Sequence, residues 1–327
     1  MSSLRDPSPE APSSRFLSRS GALLWIVAEA VLLLIILFCA MLLALRYLVL
    51  PDIDRYRGSI VRVIQQQIGQ PVEIGRIAAD WDGWNPRLDV NDLRVLDASN
   101  QAVLLALPRV QLTLGWTSLL LFDLRFKELM VDRPKFALRR DAQGMVHMVG
   151  LTLDPSRGRS DMAPANWLLR QRRIVIHDAT ISWLDEQRAA PELTLQHVEF
   201  RLESLFGRHR FGLKGAPPPE MSAPIDLRGE LNAYSFTNWG ATAGRLYVRL
   251  DYADVAAWRQ WLPMPVPISS GKGALRLWFD FVAGEPRELT ADVVLTDVQA
   301  KLAPDLPELV LQRVEGRVGW SGEGATP

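Results

Sequence analysis

The stretch PELTLQHVEFRL at residues 191–202 returns as PELVLQRVEGRV at residues 307–318. Eight of the twelve positions are identical, and the two copies begin 116 residues apart. A looser version, PRLDVNDLRV at 86–95, keeps the same order of apolar and polar positions. Repetition of one segment predicts a quasi-repetitive structure that extends along an axis.

The repeated segment reads as a bent β-strand. In the first copy, apolar residues alternate with polar ones up to Leu195, and then two polar residues instead of one precede Val198. The second copy has the same step between Leu311 and Val314. An extra residue within a strand indicates a β-bulge, after which the apolar side chains return to the same face.

The same alternation continues through much of the chain. It is clear in RVQLTLGW (109–116), RLYVRLDY (245–252) and ALRLWFDF (274–281). Only short helices are predicted between the strands, at 164–171 and 254–262. The pattern therefore predicts a mainly β fold, in which one face of an antiparallel sheet is apolar and the other is in water.

The apolar face needs a partner, because the predicted helices are too short to cover it. Three partners satisfy the pattern: a second sheet, closure of the sheet into a barrel, or an apolar ligand that is not protein. Periodicity does not distinguish among them.

A membrane anchor is predicted at residues 21–45. This stretch contains no Lys or Arg and a single acidic residue, Glu29. As a helix it would be roughly 37 Å long, which is enough to cross a bilayer core. We predict a disordered cytoplasmic tail at 1–20, a transmembrane signal anchor at 21–45, an amphipathic connector or cap helix at 46–70 and a β domain at 71–327.

Composition excludes several classes of protein. The 37 basic and 37 acidic residues give no net charge, which argues against a nucleic-acid partner. The four histidines have no metal-ligand spacing, and no catalytic motif is present. We therefore expect no enzyme activity, no catalytic or metal site and no cofactor. The basic pair Arg139–Arg140 and the cluster Arg170, Arg172 and Arg173 have two interpretations, either contacts with anionic headgroups or solvated strand edges.

The order of motifs resembles a known family. Behind the anchor come VEIGRIAADWDGWNPRLDVNDLRVLD (72–97), then the segment 110–144, then WLLRQRRIVIHDATISWLDE (167–186) and WRQWLPMPVPISSGKGALRLWFDF (258–281). In this order they resemble the N-terminal part of the YhdP branch of the AsmA-like proteins, up to Trp320. Members of that branch are several times longer than this chain.

The resemblance implies a single-pass inner-membrane anchor with the bulk of the chain in the periplasm of a Gram-negative bacterium. It implies an elongated, twisted β-groove of repeating units, apolar inside and polar outside. Its implied role is to conduct phospholipids between the inner and outer membranes, in support of outer-membrane lipid homeostasis and barrier function. The implied partners are phospholipid acyl chains, the inner membrane through residues 21–45, and outer-membrane or periplasmic proteins that contact other regions of longer members.

A groove of this kind would be lined by the apolar phase of the strands. The predicted lining residues are Leu112, Leu114, Ile181, Trp183, Leu193, Leu195, Phe200, Leu202, Leu246, Val248, Leu250, Leu275, Leu277 and Phe279. Two other functions are considered: a scaffold that guides outer-membrane proteins along its strand edges, and a membrane-anchored envelope enzyme. The scaffold predicts bound polypeptide instead of lipid, and the enzyme requires a reactive pair of side chains in a pocket.

Overall fold

The computed structural model describes residues 15–68, 70–96, 103–116, 125–148, 151–153, 163–233, 242–261, 268–301 and 307–322. By its internal contacts the chain divides into two compact units, Met1–Ile53 and Asp54–Pro327. The predicted tail lies outside the described residues up to residue 14.

The first unit contains a long apolar helix. Helix α1, Arg15–Ala44, continues into a π-helical turn, Leu45–Val49. The segment Trp25–Val49 is long and apolar enough to cross a membrane, and none of it is buried within the protein. The side chains of Leu34 and Leu37 are 69% and 70% exposed. In water such a surface would be costly, which is consistent with a bilayer around it.

The second unit begins with a short helical segment against the first strand. A 3₁₀ turn, Ile53–Tyr56, leads into helix α2, Arg57–Ile68. The carboxylate of Asp54 accepts a hydrogen bond of 3.2 Å from the Ile77 N–H, and the Gln65 side chain donates one of 3.2 Å to the carbonyl of Val72. These bonds hold the helical segment beside the first strand of the sheet.

A long sheet makes up most of the second unit, so the mainly β prediction is confirmed. Helices α3 (Ala163–Arg170) and α4 (Val255–Trp258) are short. The strands are β1 (Val72–Asp82), β2 (Asn85–Leu96), β3 (Val103–Leu114), β4 (Phe126–Asp132), β5 (Lys135–Arg140), β6 (Val146–Met148), β7 (Leu151–Leu153), β8 (Arg173–Asp185), β9 (Leu193–Leu205), β10 (Arg208–Ala216), β11 (Ile225–Asn232), β12 (Ala243–Asp254), β13 (Ile268–Val282), β14 (Glu285–Ala300) and β15 (Leu309–Ser321).

The strand order departs from a simple meander at one place. Strands β8 to β15 are neighbours in sequence order, as are β1 to β4. However, β4 and β5 both pair with β8 in the parallel sense, so the sheet is mixed and the prediction of an antiparallel sheet is wrong there. The physical reason is a crossover. The segment between β5 and β8, which includes α3, carries the chain back to the end of the sheet at which β4 and β5 begin, so β8 runs parallel to both.

The bend predicted from the repeated segment is confirmed in β9. The register with β8 shifts between Ile176 and Ala179, and His197 lies between Leu195 and Val198 with a φ of 50°. Asp178 on β8 has a φ of 51° at the same level of the sheet. Two residues then occupy the space of one, so the apolar residues on either side stay on one face.

Equivalent steps recur along the sheet. Asp92 in β2 and Asp297 in β14 have φ values of 53° and 52°. Like His197, each is the second of two polar residues between two apolar ones. Asp and His are among the residues that tolerate this left-handed conformation best. In the second copy of the repeat, on β15, the left-handed residue is Asp297 of the paired strand β14.

Close strand packing makes Gly273 a sensitive position. A Cβ atom added there would collide with the backbone carbonyl oxygen of Val294, which cannot move without the strand. We expect Gly273→Ala to destabilise the fold by about 1–3 kcal/mol, as overpacking does. At Gly316, on β15, an added Cβ atom would meet open space, so Gly316→Ala should be nearly neutral. Thermal unfolding followed by circular dichroism checks both, and equal stability of the two variants would contradict the predicted packing.

Candidate functional site

The strand registers place an unbroken apolar surface on one face of the sheet. Paired residues on neighbouring strands point to the same side, so each register carries one row of side chains across the sheet. The first row is Ala79, Leu88, Leu112, Leu129, Ile174, Leu202, Phe211, Gly229, Leu246, Phe279, Leu289 and Trp320. The second row is Ile77, Val90, Val110, Val131, Ile176, Phe200, Leu213, Leu227, Val248, Leu277, Ala291 and Val318.

We call these two rows the apolar rows. Together they cross β1 to β4 and β8 to β15. They contain no charged side chain, and the only side chain in them that can donate a hydrogen bond is Trp320 on β15. At about 4.8 Å between strands, twelve strands span roughly 50 Å. A surface of this length without one charged group is rare on a protein that only water would contact.

The apolar rows are only partly covered by protein. Leu246, Val248 and Leu277 on β12 and β13 are half-buried, and Val318 and Trp320 on β15 are 66% and 50% exposed. On β1 to β4, by contrast, the second row is buried: these residues are Ile77, Val90, Val110 and Val131. All fifteen strands of the described residues belong to one sheet, whose path ends at β15. Within that part of the chain, neither a second sheet nor barrel closure provides the partner that the apolar face needs.

Local packing smooths this surface. The ring of Phe211 lies over Gly229, and the ring of Phe281 lies over Gly244, in space that a Cβ atom would fill. Phe279 and Phe281 stack at 5.9 Å between ring centroids. Aromatic rings that occupy the space above a glycine fill gaps between the aliphatic side chains and leave a continuous apolar surface.

The short helices pack near the ends of the strands. Trp167 of α3 meets Phe126 at the start of β4 edge-on, at 5.9 Å. Val255 of α4 packs against a buried cluster at the end of β14 that includes Leu295 and Val298. These contacts cover the margins of the apolar face, and among the described residues the two rows stay half-buried to exposed on β12 to β15.

Charged residues occupy the opposite face. There, Arg210 pairs with Glu230 at 2.8 Å, and Arg245 pairs with Asp280 at 2.7 Å, each across neighbouring strands. Hydrogen bonds from Arg317 hold the pKa of Asp292 below its usual range, mainly through direct donation to the carboxylate. Exposed pairs of this kind stabilise a fold little, but they fix which face of each strand meets water.

The structure places all fourteen predicted lining residues on the apolar side. Leu112, Leu202, Leu246 and Phe279 lie in the first row, and Phe200, Val248 and Leu277 lie in the second. The pairs Leu250–Leu275, Ile181–Leu195 and Trp183–Leu193 and the residue Leu114 extend the same side toward the strand ends. Leu193 and Leu202 are buried, at 8% and 7% exposure, so ligand contact would fall mainly to the twelve half-buried residues.

Sequence reasoning missed the contributions of seven strands to the apolar rows: β1, β2, β4, β10, β11, β14 and β15. Phe211, Leu213 and Leu227 complete the apolar rows between β9 and β12. On these strands apolar and polar residues alternate as they do elsewhere. On β11 the alternation is interrupted, because Gly229 occupies an apolar position. The basic pair Arg139–Arg140 is also resolved: both side chains form ion pairs within the protein, with Glu186 and Asp185.

Comparison with known proteins shows to which family the chain belongs. The family described as "YhdP protein" matches residues 14–326. The curated protein "Intermembrane phospholipid transporter YhdP" of Escherichia coli (strain K12) is 24% identical over 314 residues, which cover 89% of this chain and 21% of that protein. The chain therefore spans about a fifth of the length of this relative. No solved structure matches. Since the family match covers nearly the whole chain, the chain belongs to the YhdP protein family.

Proposed function

We propose that this chain is a single-pass inner-membrane protein whose β unit lies in the periplasm and conducts phospholipid between the inner and outer membranes. Acyl chains would lie along the apolar rows. The observation that carries the proposal is the unbroken pair of rows across twelve strands, half-buried to exposed on β12 to β15. The candidate membrane span and the transporter in the same family support it.

The energetics suit transport of lipid without chemistry. Burial of an acyl chain is favourable by about 0.8 kcal/mol per methylene group. This interaction has no preferred direction, so a chain can move from one strand to the next at nearly constant free energy. The charged face would hold the sheet in water while the apolar rows contact lipid.

The two faces of β13 provide a direct test. Leu277 lies in the second apolar row, whereas the adjacent Trp278 lies on the charged face beside Tyr247, at 5.4 Å between ring centroids. We expect benzoylphenylalanine at position 277 to crosslink to phospholipid on irradiation in cells, because its ring would lie among acyl chains. The same residue at position 278 should not, because it would face water.

Mass spectrometry of the purified, irradiated full chain would identify the adducts. Lipid adducts at 277 alone would support the proposal. Adducts at both positions or at neither would contradict it, and polypeptide adducts at 277 would favour a scaffold for outer-membrane proteins.

A further inference from the structure

The turn between β9 and β10 exposes apolar side chains that the fold does not need there. Phe206 is 89% exposed and adopts a φ of 49°, and Gly207 follows with a φ of 76°. Two-residue turns with two positive φ values favour Asn or Asp before Gly, and a bulky residue in this conformation is uncommon. Leu205 beside it is 58% exposed. Both the left-handed backbone conformation and the exposure to water therefore disfavour a phenylalanine at position 206.

A basic cleft of about 780 Å³ lies next to the tip. Its lining includes five cations and three carboxylates. Arg173 pairs with Glu128 and Glu203 at 3.4 and 3.9 Å, and Arg210 pairs with Glu230 at 2.8 Å. All three carboxylates of the cleft are therefore in ion pairs with Arg173 or Arg210. The remaining cations, Lys127, Arg172 and Arg208, have no carboxylate partner among the described residues.

We infer that this tip and cleft dock on the surface of an anionic phospholipid membrane, with Phe206 and Leu205 at the level of the headgroups and Lys127, Arg172 and Arg208 toward the phosphates. An exposed aromatic residue beside unpaired cations is the combination that binds such surfaces. Free phosphate would use the cations but would leave the apolar tip in water. Each cation near an anionic surface contributes roughly a fivefold factor to binding.

The candidate membrane span and this surface belong to the same chain. The candidate span Trp25–Val49 is covalently linked to the β unit, so the effective concentration of the membrane around the unit is high. Weak docking contacts then suffice to hold the tip at the headgroups. The tip and cleft lie at the strand ends and on the charged side of the sheet, apart from the apolar rows. Docking is therefore a separate property from the proposed conduction of lipid.

The inference can be tested with the full chain in nanodiscs. A Cys39→Ser background removes the one native cysteine, and Phe206→Cys then carries an environment-sensitive NBD fluorophore. We expect blue-shifted emission in nanodiscs of phosphatidylcholine with phosphatidylglycerol, compared with phosphatidylcholine alone, and loss of the shift at raised salt. Charge reversal by Lys127→Glu, Arg172→Glu and Arg208→Glu should abolish it. A label at Ala283→Cys, in the β13–β14 turn, is the matched control and should not shift.

Three outcomes would overturn the inference. Equal emission in the two nanodiscs excludes docking on anionic lipid, and an unchanged shift after charge reversal excludes the cleft. An equal shift on addition of inorganic phosphate to phosphatidylcholine nanodiscs identifies a free-anion site instead. The shift should persist in Leu277→Asp, so failure of the docking inference and failure of the proposed lipid conduction are distinguishable.

Discussion

Leu277→Asp should remove most of the phospholipid that co-purifies with the chain while the sheet stays folded. Leu277 lies between Val248 and Ala291 in the second apolar row, in its half-buried to exposed part on β12 to β15. A carboxylate among acyl chains costs about 3 kcal/mol, which corresponds to roughly a hundredfold loss of affinity. The side chain is half-buried, so without lipid the new carboxylate reaches water. We therefore expect the unfolding temperature to fall by about 4 °C or less.

Phospholipid extracted per chain, measured by mass spectrometry beside thermal unfolding, checks this prediction. The matched control is Val310→Asp on β15, because Val310 is an aliphatic residue of the charged face with 68% exposure. It should retain bound lipid. Leu195→Asp, beyond the bend in β9, should behave like Leu277→Asp. If Leu277→Asp unfolds the sheet to the extent that it loses lipid, position 277 is a core position and does not line a groove.

Alternation alone predicted which residues share a face. In β13, the period of two in Leu275, Leu277 and Phe279 placed them together, and the register with β12 confirms this. The bend was also predictable, because the step from Leu195 to Val198 breaks the period by one residue. The structure adds the mechanism, which is the left-handed conformation of His197. The recurrence of the step at Asp92 and Asp297 follows the same order of apolar and polar residues.

The pairing order near β8 could not be predicted. Parallel and antiparallel neighbours with one apolar face have the same period of two, so the pattern does not report strand direction. The direction of β8 depends on the crossover after β5, which is a property of the connection and not of either strand. The open face could not be predicted either, since alternation indicates only that one side is apolar and not what covers it.

A buried ion pair secures β5 to β8 beyond this crossover. Asp185, at the end of β8, is 1% exposed and receives a hydrogen bond of 2.9 Å from Arg140 Nε, at the end of β5. Asp185 also receives a second bond from the same guanidinium and one of 3.2 Å from the Arg188 N–H, and the Arg188 side chain pairs with it at 3.8 Å. Burial alone would raise the pKa of Asp185, but these hydrogen bonds outweigh it and lower the pKa.

The neighbouring pair provides a control with the same geometry. Glu186 accepts two hydrogen bonds from Arg139, at 2.7 and 2.9 Å. Its side chain is 35% exposed and that of Arg139 is 57% exposed. Water solvates either partner when the other is removed, so Glu186→Ala should cost about 0.5 kcal/mol or less.

Asp185→Ala should destabilise the fold by about 3 kcal/mol, because it leaves the mostly buried guanidinium of Arg140 without its partner. The double variant Arg140→Met/Asp185→Leu should recover most of this loss, since two apolar side chains leave no unpaired charge.

The pH dependence of this effect follows from the lowered pKa of Asp185. The carboxylate stabilises the folded chain above the unfolded-state pKa of about 3.9 and loses this effect as the pH falls through the folded-state value. In denaturant unfolding, the difference between the natural chain and Asp185→Ala should therefore be largest at neutral pH and shrink in acid. A difference that is the same at both pH values, or no greater than that of Glu186→Ala, would show that the pair does not secure β5 to β8.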